Sequence, residues 1–94
     1  MKVNVRFFGS FRNITNKSTV TLELGKGAQL KEAIRRIVEE FPKIESALID
    51  PELGDPRPNT LIIVNGREIS VLKGLETVLK DGDEVVFIPV SHGG

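Results

Sequence analysis

The amino-acid sequence predicts an α+β domain in which a mixed sheet of four or five strands packs on one main helix. Polar and apolar residues alternate over residues 3–7 and 20–24, which is typical of half-buried strands. The apolar spacing becomes helical over residues 30–41. Two continuous apolar runs follow, at residues 61–64 and 85–88. Such runs are typical of central strands, which are covered on both faces.

The first two strands are predicted to form an N-terminal hairpin. Gly9 and Ser10 interrupt the first alternation, and the polar stretch 11–17, which contains Asn13 and Asn16, predicts a turn. Two alternating runs joined by such a segment favour antiparallel pairing.

The main helix is predicted to begin near residue 30 and to end at Phe41, because Pro42 cannot continue it. Its N-cap is weak, since Gly27 or Ala28 stands where Ser, Thr or Asp is preferred. Residues 42–59 carry four prolines and are expected to be an irregular, variable connection with at most one helical turn.

The C-terminal part is predicted to contain three more strands. Asn65-Gly66 is a strong hairpin motif between strand 61–64 and a short return strand at 67–69. A loop or short helical turn follows, and the turn at 80–83 leads into the last strand, 84–88. We therefore expect one domain, residues 1–88, followed by a flexible tail, residues 89–94.

The composition excludes several classes of function. The 94 residues include 13 Lys or Arg and 13 Asp or Glu, a balance that argues against direct nucleic-acid binding. The absence of cysteine excludes disulfides, thiolate nucleophiles and cysteine metal sites. There is no apolar run long enough for a membrane span and no signal-peptide pattern at the N-terminus. We expect a soluble cytoplasmic protein that is monomeric alone and has no metal site.

One face of the sheet should be apolar and exposed. A single helix, about 10 Å wide, covers only one face of the central strands. The opposite face would then show their apolar side chains, with Phe8 nearby, and such patches mark partner surfaces. The alternative is that residues 42–59 fold over this face.

The order of elements and three short motifs resemble the β-grasp fold of ubiquitin-like proteins. The motifs are Phe7-Phe8-Gly9 followed by Phe11-Arg12, the turn at 79–85, and Val90-Ser91-His92-Gly93-Gly94 at the end. They are most similar to the sulfur-carrier branch. That branch comprises the molybdopterin synthase small subunit, the thiamine sulfur carrier, the small archaeal modifiers and the ubiquitin-related modifier.

This resemblance implies that an adenylating enzyme of the ubiquitin-activating type joins Gly94 to AMP from ATP. Sulfur from a sulfurtransferase would then give a Gly94 thiocarboxylate for molybdopterin biosynthesis. Alternatives are a tRNA-thiolation carrier, a modifier linked through Gly94 to target-protein lysines, and a β-grasp interaction module that is never activated. The chain would bind no cofactor and perform no catalysis, because ATP and the catalytic groups would belong to partners, which could include the molybdopterin synthase large subunit.

The candidate site residues follow from the resemblance and from the predicted sheet. Gly94 is the activated end, and Gly93 and His92 are tail-recognition residues, although a merely solvated His92 is the simpler interpretation. The predicted partner interface consists of Phe8, Arg6, Arg12 and Phe87. Asp81 and Asp83 are interpreted as turn residues rather than as paired catalytic carboxylates.

Overall fold

The computed structural model describes residues 1–90. Predictions that concern His92, Gly93 and Gly94, including the flexible end of the tail, lie outside the described residues. The strands are β1 (Lys2–Phe7), β2 (Thr19–Glu23), β3 (Thr60–Val64), β4 (Arg67–Glu68) and β5 (Glu84–Pro89). The helices are α1 (Gly9–Thr15), α2 (Leu30–Glu40) and α3 (Glu45–Leu48), with short 3₁₀ turns at Pro42–Ile44, Ile69–Val71 and Gly74–Glu76.

The five strands form one mixed sheet in the order β2-β1-β5-β3-β4. β1 pairs antiparallel with β2 and parallel with β5, while β3 pairs antiparallel with both β5 and β4. The predicted α+β class and the N-terminal hairpin are therefore confirmed. Asn65 and Gly66, at φ 50° and 82°, join β3 to β4 with the two positive φ values that a type I′ turn requires.

The core lies between one face of this sheet and the helices. The strand alternation buries Val3, Val5 and Phe7 of β1, and α2 contributes Leu30 and Ile37 to the same cluster. α2 ends one residue before the predicted Phe41. Burial of these apolar side chains supplies the main stabilisation of so small a domain.

The N-terminus of α2 is stabilised by the chain that precedes β5 rather than by a capping side chain. The N-cap residue Gln29 makes no side-chain capping bond, in agreement with the weak cap predicted. Instead, the Leu30 amide donates to the Thr77 carbonyl at 2.8 Å, and Gln29 forms an antiparallel bridge with Val78. The Thr77 carbonyl therefore satisfies one of the amide donors that a helix start normally leaves open.

The predicted turn at 11–17 is wrong, because residues 9–15 form helix α1. Phe11 and Thr15 lie one helical turn apart and are both buried. The Thr15 hydroxyl donates to the Phe11 carbonyl at 2.9 Å, and Asn16 ends the helix at φ 60°. Burial of Phe11 in the core decides that this segment is helical, although its composition is typical of a loop.

Residues 42–59 are more ordered than predicted. They contain a 3₁₀ turn, which ends at Ile44, and helix α3, which ends at Leu48. Both of these residues are fully buried in the core cluster. The Thr60 hydroxyl donates to the Leu48 carbonyl at 3.0 Å, which ties α3 to the start of β3. This connection therefore packs on the same side of the sheet as α2.

Several strand boundaries differ from prediction by one residue: β2 spans Thr19–Glu23 rather than 20–24, and β3 begins at Thr60 rather than at residue 61. β4 ends at Glu68, since Ile69 begins a 3₁₀ turn and is buried, and β5 continues one residue further, to Pro89. None of the helices within residues 1–90 has the length and apolar character needed to cross a membrane.

Candidate functional site

The central strand β5 directs alternate side chains to opposite faces of the sheet. Val85 and Phe87 point into the core and are fully buried. Val86 and Ile88, in the alternate positions, therefore belong to the other face. The prediction that Phe87 lies in the partner interface is wrong, because its side chain has no exposed surface.

On the other face, the paired residues of β3 and β5 are apolar, whereas β1 carries Asn4 and Arg6 there. β3 contributes Leu61 opposite Ile88 and Ile63 opposite Val86, and Phe8 follows the end of β1. Phe8 is 40% exposed and Leu61 37% exposed, whereas Val86 is only 9% exposed. We call these five residues, Phe8, Leu61, Ile63, Val86 and Ile88, the outer strip.

No helix within residues 1–90 packs on the outer strip. The buried apolar residues of α1, α2 and α3 all belong to the core cluster with Val5 and Phe7, on the opposite face. Ile44 and Leu48 place the 42–59 connection on that core side too. The predicted exposed apolar face is therefore confirmed for Phe8 and Leu61, whereas Ile63 and Ile88 are half-buried and Val86 is buried. The alternative that residues 42–59 cover this face is wrong. That the face docks a partner stays a prediction.

The two predicted interface arginines occupy different places. Arg6 borders the outer strip: its guanidinium lies 3.7 Å from the Glu84 carboxylate and 5.2 Å from the centre of the Phe8 ring. Arg12 is exposed on α1, outside the sheet. An exposed pair such as Arg6–Glu84 adds little stability, but it places a cation against the aromatic edge of the strip.

The end of β5 is held on both sides before the chain reaches Ser91. On one side the Phe8 amide donates to the Phe87 carbonyl at 3.1 Å, and on the other the Val90 amide donates to the Asn59 carbonyl at 2.9 Å. Gly9, at φ 54°, lies so close to Pro89 that a Cβ there would be 2.9 Å from the proline Cγ. The described chain therefore ends beside the outer strip, with its last strand anchored.

Sequence reasoning did not assign the residues that hold this strand end. Gly9 was predicted as a strand break and as part of the Phe7-Phe8-Gly9 motif, without a contact to the last strand, and Asn59 lay in a connection expected to be irregular. Pro89, directly after an apolar run, could have indicated where the last strand stops pairing, because proline within a sheet ends or interrupts the hydrogen-bond ladder.

Asp81 and Asp83 use their carboxylates to hold the turn, which confirms the interpretation as turn residues. Asp81 accepts from the Lys2 amide at 2.7 Å. Asp83 accepts from the Lys80 amide and from the Asn65 side chain, both at 2.8 Å. Within residues 1–90 no group of three or more His, Cys, Asp or Glu side chains could hold a metal ion.

The shifted pKa values belong to loop-capping bonds. Hydrogen bonds from the Arg57 side chain lower the pKa of Asp55, and bonds from Ser70 lower the pKa of Glu68. Glu68 lies opposite Ile63 in the sheet, but its carboxylate caps the following 3₁₀ turn. These shifts arise from structural bonds in loops, so they do not point to acid–base chemistry on the outer strip.

Comparison with known proteins agrees with this geometry. The sequence matches the model of the ThiS family over residues 5–94. It is 32% identical to small archaeal modifier protein 3 of Haloferax volcanii, over 99% of this chain and 100% of that protein. It is 29% identical to the molybdopterin synthase sulfur carrier subunit of Chlamydomonas reinhardtii, over the full length of both.

The fold has close counterparts among solved structures. The crystal structure of SAMP1 from Haloferax volcanii superimposes with a TM-score of 0.87 at 20% identity and covers 100% of both chains. This similarity establishes the ubiquitin-like β-grasp fold. The family model matches nearly the whole length of the chain, and the fold agrees with it. The chain therefore belongs to the ThiS family of small ubiquitin-like sulfur carriers and modifiers.

Proposed function

We propose that this chain is a ubiquitin-like sulfur carrier whose Gly94 is converted to a thiocarboxylate for molybdopterin biosynthesis. One observation supports it most: β5 carries the buried Val86 and the half-buried Ile88 of the outer strip, pairs with the exposed Leu61 of β3, and leads, within six residues, from Ile88 to the Gly-Gly end. A docking surface and a reactive end on one strand suit a protein whose end must enter another enzyme. Six extended residues span about 20 Å.

The proposed chemistry occurs in the active site of a partner. A carboxylate oxygen of Gly94 attacks the α-phosphorus of ATP, the bond to the β-phosphate breaks, and pyrophosphate leaves. A persulfide of a sulfurtransferase then attacks the acyl carbon and AMP leaves, which gives an acyl disulfide. A thiol of the partner enzymes cleaves its S–S bond, forms a disulfide with the sulfurtransferase sulfur, and leaves the thiocarboxylate. The adenylating enzyme holds ATP and the catalytic groups, while this chain presents its terminus. Gly93 and Gly94 would pass a narrow channel without Cβ clashes, and His92 would be recognised beside them.

The outer strip is the proposed docking surface for the adenylating enzyme. Phe8 and Leu61 supply exposed apolar area, and Arg6 stands at the edge of the strip, where it can pair with an acidic group of the partner. Arg12, exposed on α1 outside the sheet, is a second proposed contact. Because the chemistry consumes ATP, we place it in the cytoplasm. The molybdopterin synthase large subunit is the proposed acceptor of the sulfur.

A second candidate function is conjugation, in which a lysine of a target protein attacks the Gly94 adenylate and forms an amide. The similarity to a protein named small archaeal modifier protein 3 favours it. Delivery of the sulfur to a tRNA base would use the same thiocarboxylate. An interaction module that is never activated is the remaining alternative.

The test is intact-mass spectrometry after incubation with the cognate adenylating enzyme, ATP and a sulfur donor. We expect an adenylate on Gly94, followed by the mass change for replacing one oxygen by sulfur. An unchanged mass with an active enzyme would contradict activation. Adding the molybdopterin synthase large subunit and its precursor separates the roles, because consumption of the thiocarboxylate supports the first, and amide-linked lysines support the second.

Deletion of Gly94 provides the matched control. We expect the shortened chain to lose adenylation completely, because the reacting carboxylate no longer reaches the same position. Its melting temperature should change by less than about 2 °C, since the described core ends before this residue. Thermal unfolding followed by circular dichroism checks the second expectation. A large destabilisation would mean that the end is structural.

A further inference from the structure

We propose that the end of the sheet where β5 begins carries a second docking surface, which binds an acidic segment of a partner protein that also presents apolar side chains. The surface has an apolar centre and a basic rim, formed by Val71, Leu72, Val78, Lys26, Arg67, Lys73 and Lys80. We call these residues the basic patch. It shares no residue with the outer strip, and the proposal does not depend on activation of Gly94.

The apolar centre of the basic patch is more exposed than the outer strip. Val71 is 70% exposed and Val78 51% exposed, and both values exceed those of Phe8 and Leu61. Val78 lies between two depressions of the surface, of about 490 Å³ and about 440 Å³, and lines both of them. Two apolar side chains of a partner fit there, one on each side of Val78. Exposed apolar side chains grouped in this way mark a contact surface.

Backbone hydrogen bonds hold Val78 in place from both sides. The Leu30 amide donates to the Thr77 carbonyl at 2.8 Å, and the Leu79 amide donates to the Ala28 carbonyl at 2.9 Å. Leu79 is buried in the core, so the alternation of an extended segment turns Val78 outward. Because this backbone is already fixed in the free protein, a partner that binds here orders little additional chain.

The rim of the basic patch has an excess of positive charge. Its four cations form no ion pair with any carboxylate of residues 1–90. The two carboxylates that line the same depressions, Asp81 and Asp83, already accept from the backbone amides of Lys2 and Lys80. The rim therefore complements an acidic segment. The exposed aliphatic centre favours a peptide over a nucleic acid, whose phosphates bind basic stripes.

The basic patch lies at the opposite end of β5 from the point where the chain leaves the sheet. The groove beside Val78 also includes Asn65 of the β3–β4 turn and Asp83, which directly precedes β5. β5 extends from Glu84 to Pro89, and five steps along a strand span about 16 Å. A partner on the basic patch therefore leaves the outer strip and the last strand end open to an enzyme.

The test is fluorescence titration of the full chain with a labelled synthetic peptide in which leucine and valine alternate with glutamate. We expect saturable binding that weakens as the salt concentration rises, because the rim charges are exposed. The same peptide with lysine in place of glutamate should not bind. Absence of binding by the acidic peptide, or equal binding of both peptides, would overturn the proposal. Preferential binding of a single-stranded oligonucleotide would also overturn it.

Charge substitutions locate the peptide on the chain. Val78→Asp should weaken binding of the acidic peptide by about tenfold or more, because it places a like charge in an apolar contact. Leu53→Asp is the matched control, since it adds the same charge at an exposed aliphatic residue outside the patch. Leu61→Asp is the control on the outer strip. Both controls should bind within about twofold of wild type, because their charges lie outside the contact.

Val71→Asp is the second variant, because an exposed position in a 3₁₀ turn tolerates substitution even if Val78→Asp fails to fold. It should weaken binding in the same direction. Nuclear magnetic resonance during the titration should shift the amide signals of residues 71–80 and leave those of the outer strip unchanged. Affinities of the patch variants equal to that of Leu53→Asp, or shifts confined to the outer strip, would overturn the proposal without affecting activation of Gly94.

Discussion

At the scale of single residues, neighbouring positions of one apolar run have opposite roles. The run 85–88 has a uniform apolar composition, yet Phe87 is fully buried and Ile88 lies on the outer strip. The alternation of a strand separates them, but a continuous apolar run contains no polar residue that marks the outer face. The register with β1, which pairs Phe87 with Phe7, decides which residues of the run face the core.

Phe87→Ala should destabilise the fold by about 3–5 kcal/mol, because it leaves a cavity beside Phe7 in the core. Phe8→Ala, the matched control on the outer strip, should cost about 1 kcal/mol or less. Urea unfolding of both variants measures the difference. Equal losses of stability would contradict the assignment of the two faces.

Asp55 gives a prediction about pH. Its carboxylate binds the Arg57 side chain at 2.6 Å, and this bond lowers its pKa below the ordinary value of 3.8. Ionised Asp55 therefore stabilises the folded state above that ordinary value, and the stabilisation is lost as pH falls through the lowered pKa. Because the pair is largely exposed, Asp55→Asn should cost at most about 1 kcal/mol at neutral pH.

The measurement is urea unfolding of both proteins at neutral pH and over a series of falling acid pH values, as the carboxyl of Asp55 becomes protonated. The difference in unfolding free energy between wild type and Asp55→Asn should shrink as the pH falls. A difference that stays constant would contradict the ionised pair as its source.

At the scale of elements, periodicity predicted most of the secondary structure, and burial decided the rest. The hydrophobic spacing of α2 and the Asn65-Gly66 turn are local properties, so the sequence alone predicts them. Helix α1 was missed because only Phe11, Ile14 and Thr15 of its seven residues face the core. So short a helix has little intrinsic stability and forms because tertiary packing supports it.

The turn before β5 also acts as an element that joins three parts of the sheet. Asp81 and Gly82 bond to the backbone of Lys2, while Asp83 binds Asn65 of the β3–β4 turn. The turn therefore holds the start of β1 and the β3–β4 hairpin beside β5. Its Asp-Gly-Asp sequence predicts a turn, but nothing local predicts these partners.

Asp83→Ala should destabilise the fold by about 1–2 kcal/mol, because it leaves the Lys80 amide and the Asn65 side chain without their acceptor. Glu40→Ala, at the exposed end of α2, is the control and should change stability by about 0.5 kcal/mol or less. Thermal unfolding compares them. An unaffected Asp83 variant would contradict the role of this turn in holding the sheet together.

At the scale of the whole molecule, one strand joins the core, the outer strip and the chain end. β5 lies at the centre of the sheet, between β1 and β3. Its inner side chains belong to the core, and its outer ones contribute Val86 and Ile88 to the outer strip. A partner that docks on the strip is therefore close to the point where the tail begins.

Leu61→Asp should weaken binding of the adenylating enzyme by about tenfold or more, because it places a charge in an apolar contact. Stability should change little, since Leu61 is 37% exposed. Leu53→Asp is the matched control: Leu53 is 71% exposed in the 42–59 connection, outside the strip. Isothermal titration with both variants measures the affinities. Equal affinities would contradict docking on the outer strip.

The sequence by itself determined the α+β class, the N-terminal hairpin, the main helix and the resemblance to ubiquitin-like sulfur carriers, because these depend on periodicity and short motifs along the chain. Only the tertiary structure decided that Phe87 is internal, that residues 9–15 are helical, and that Gly9 and Asn59 hold the end of β5. The physical reason is that burial and hydrogen bonding between distant segments depend on strand register, which residues far apart in the chain set together.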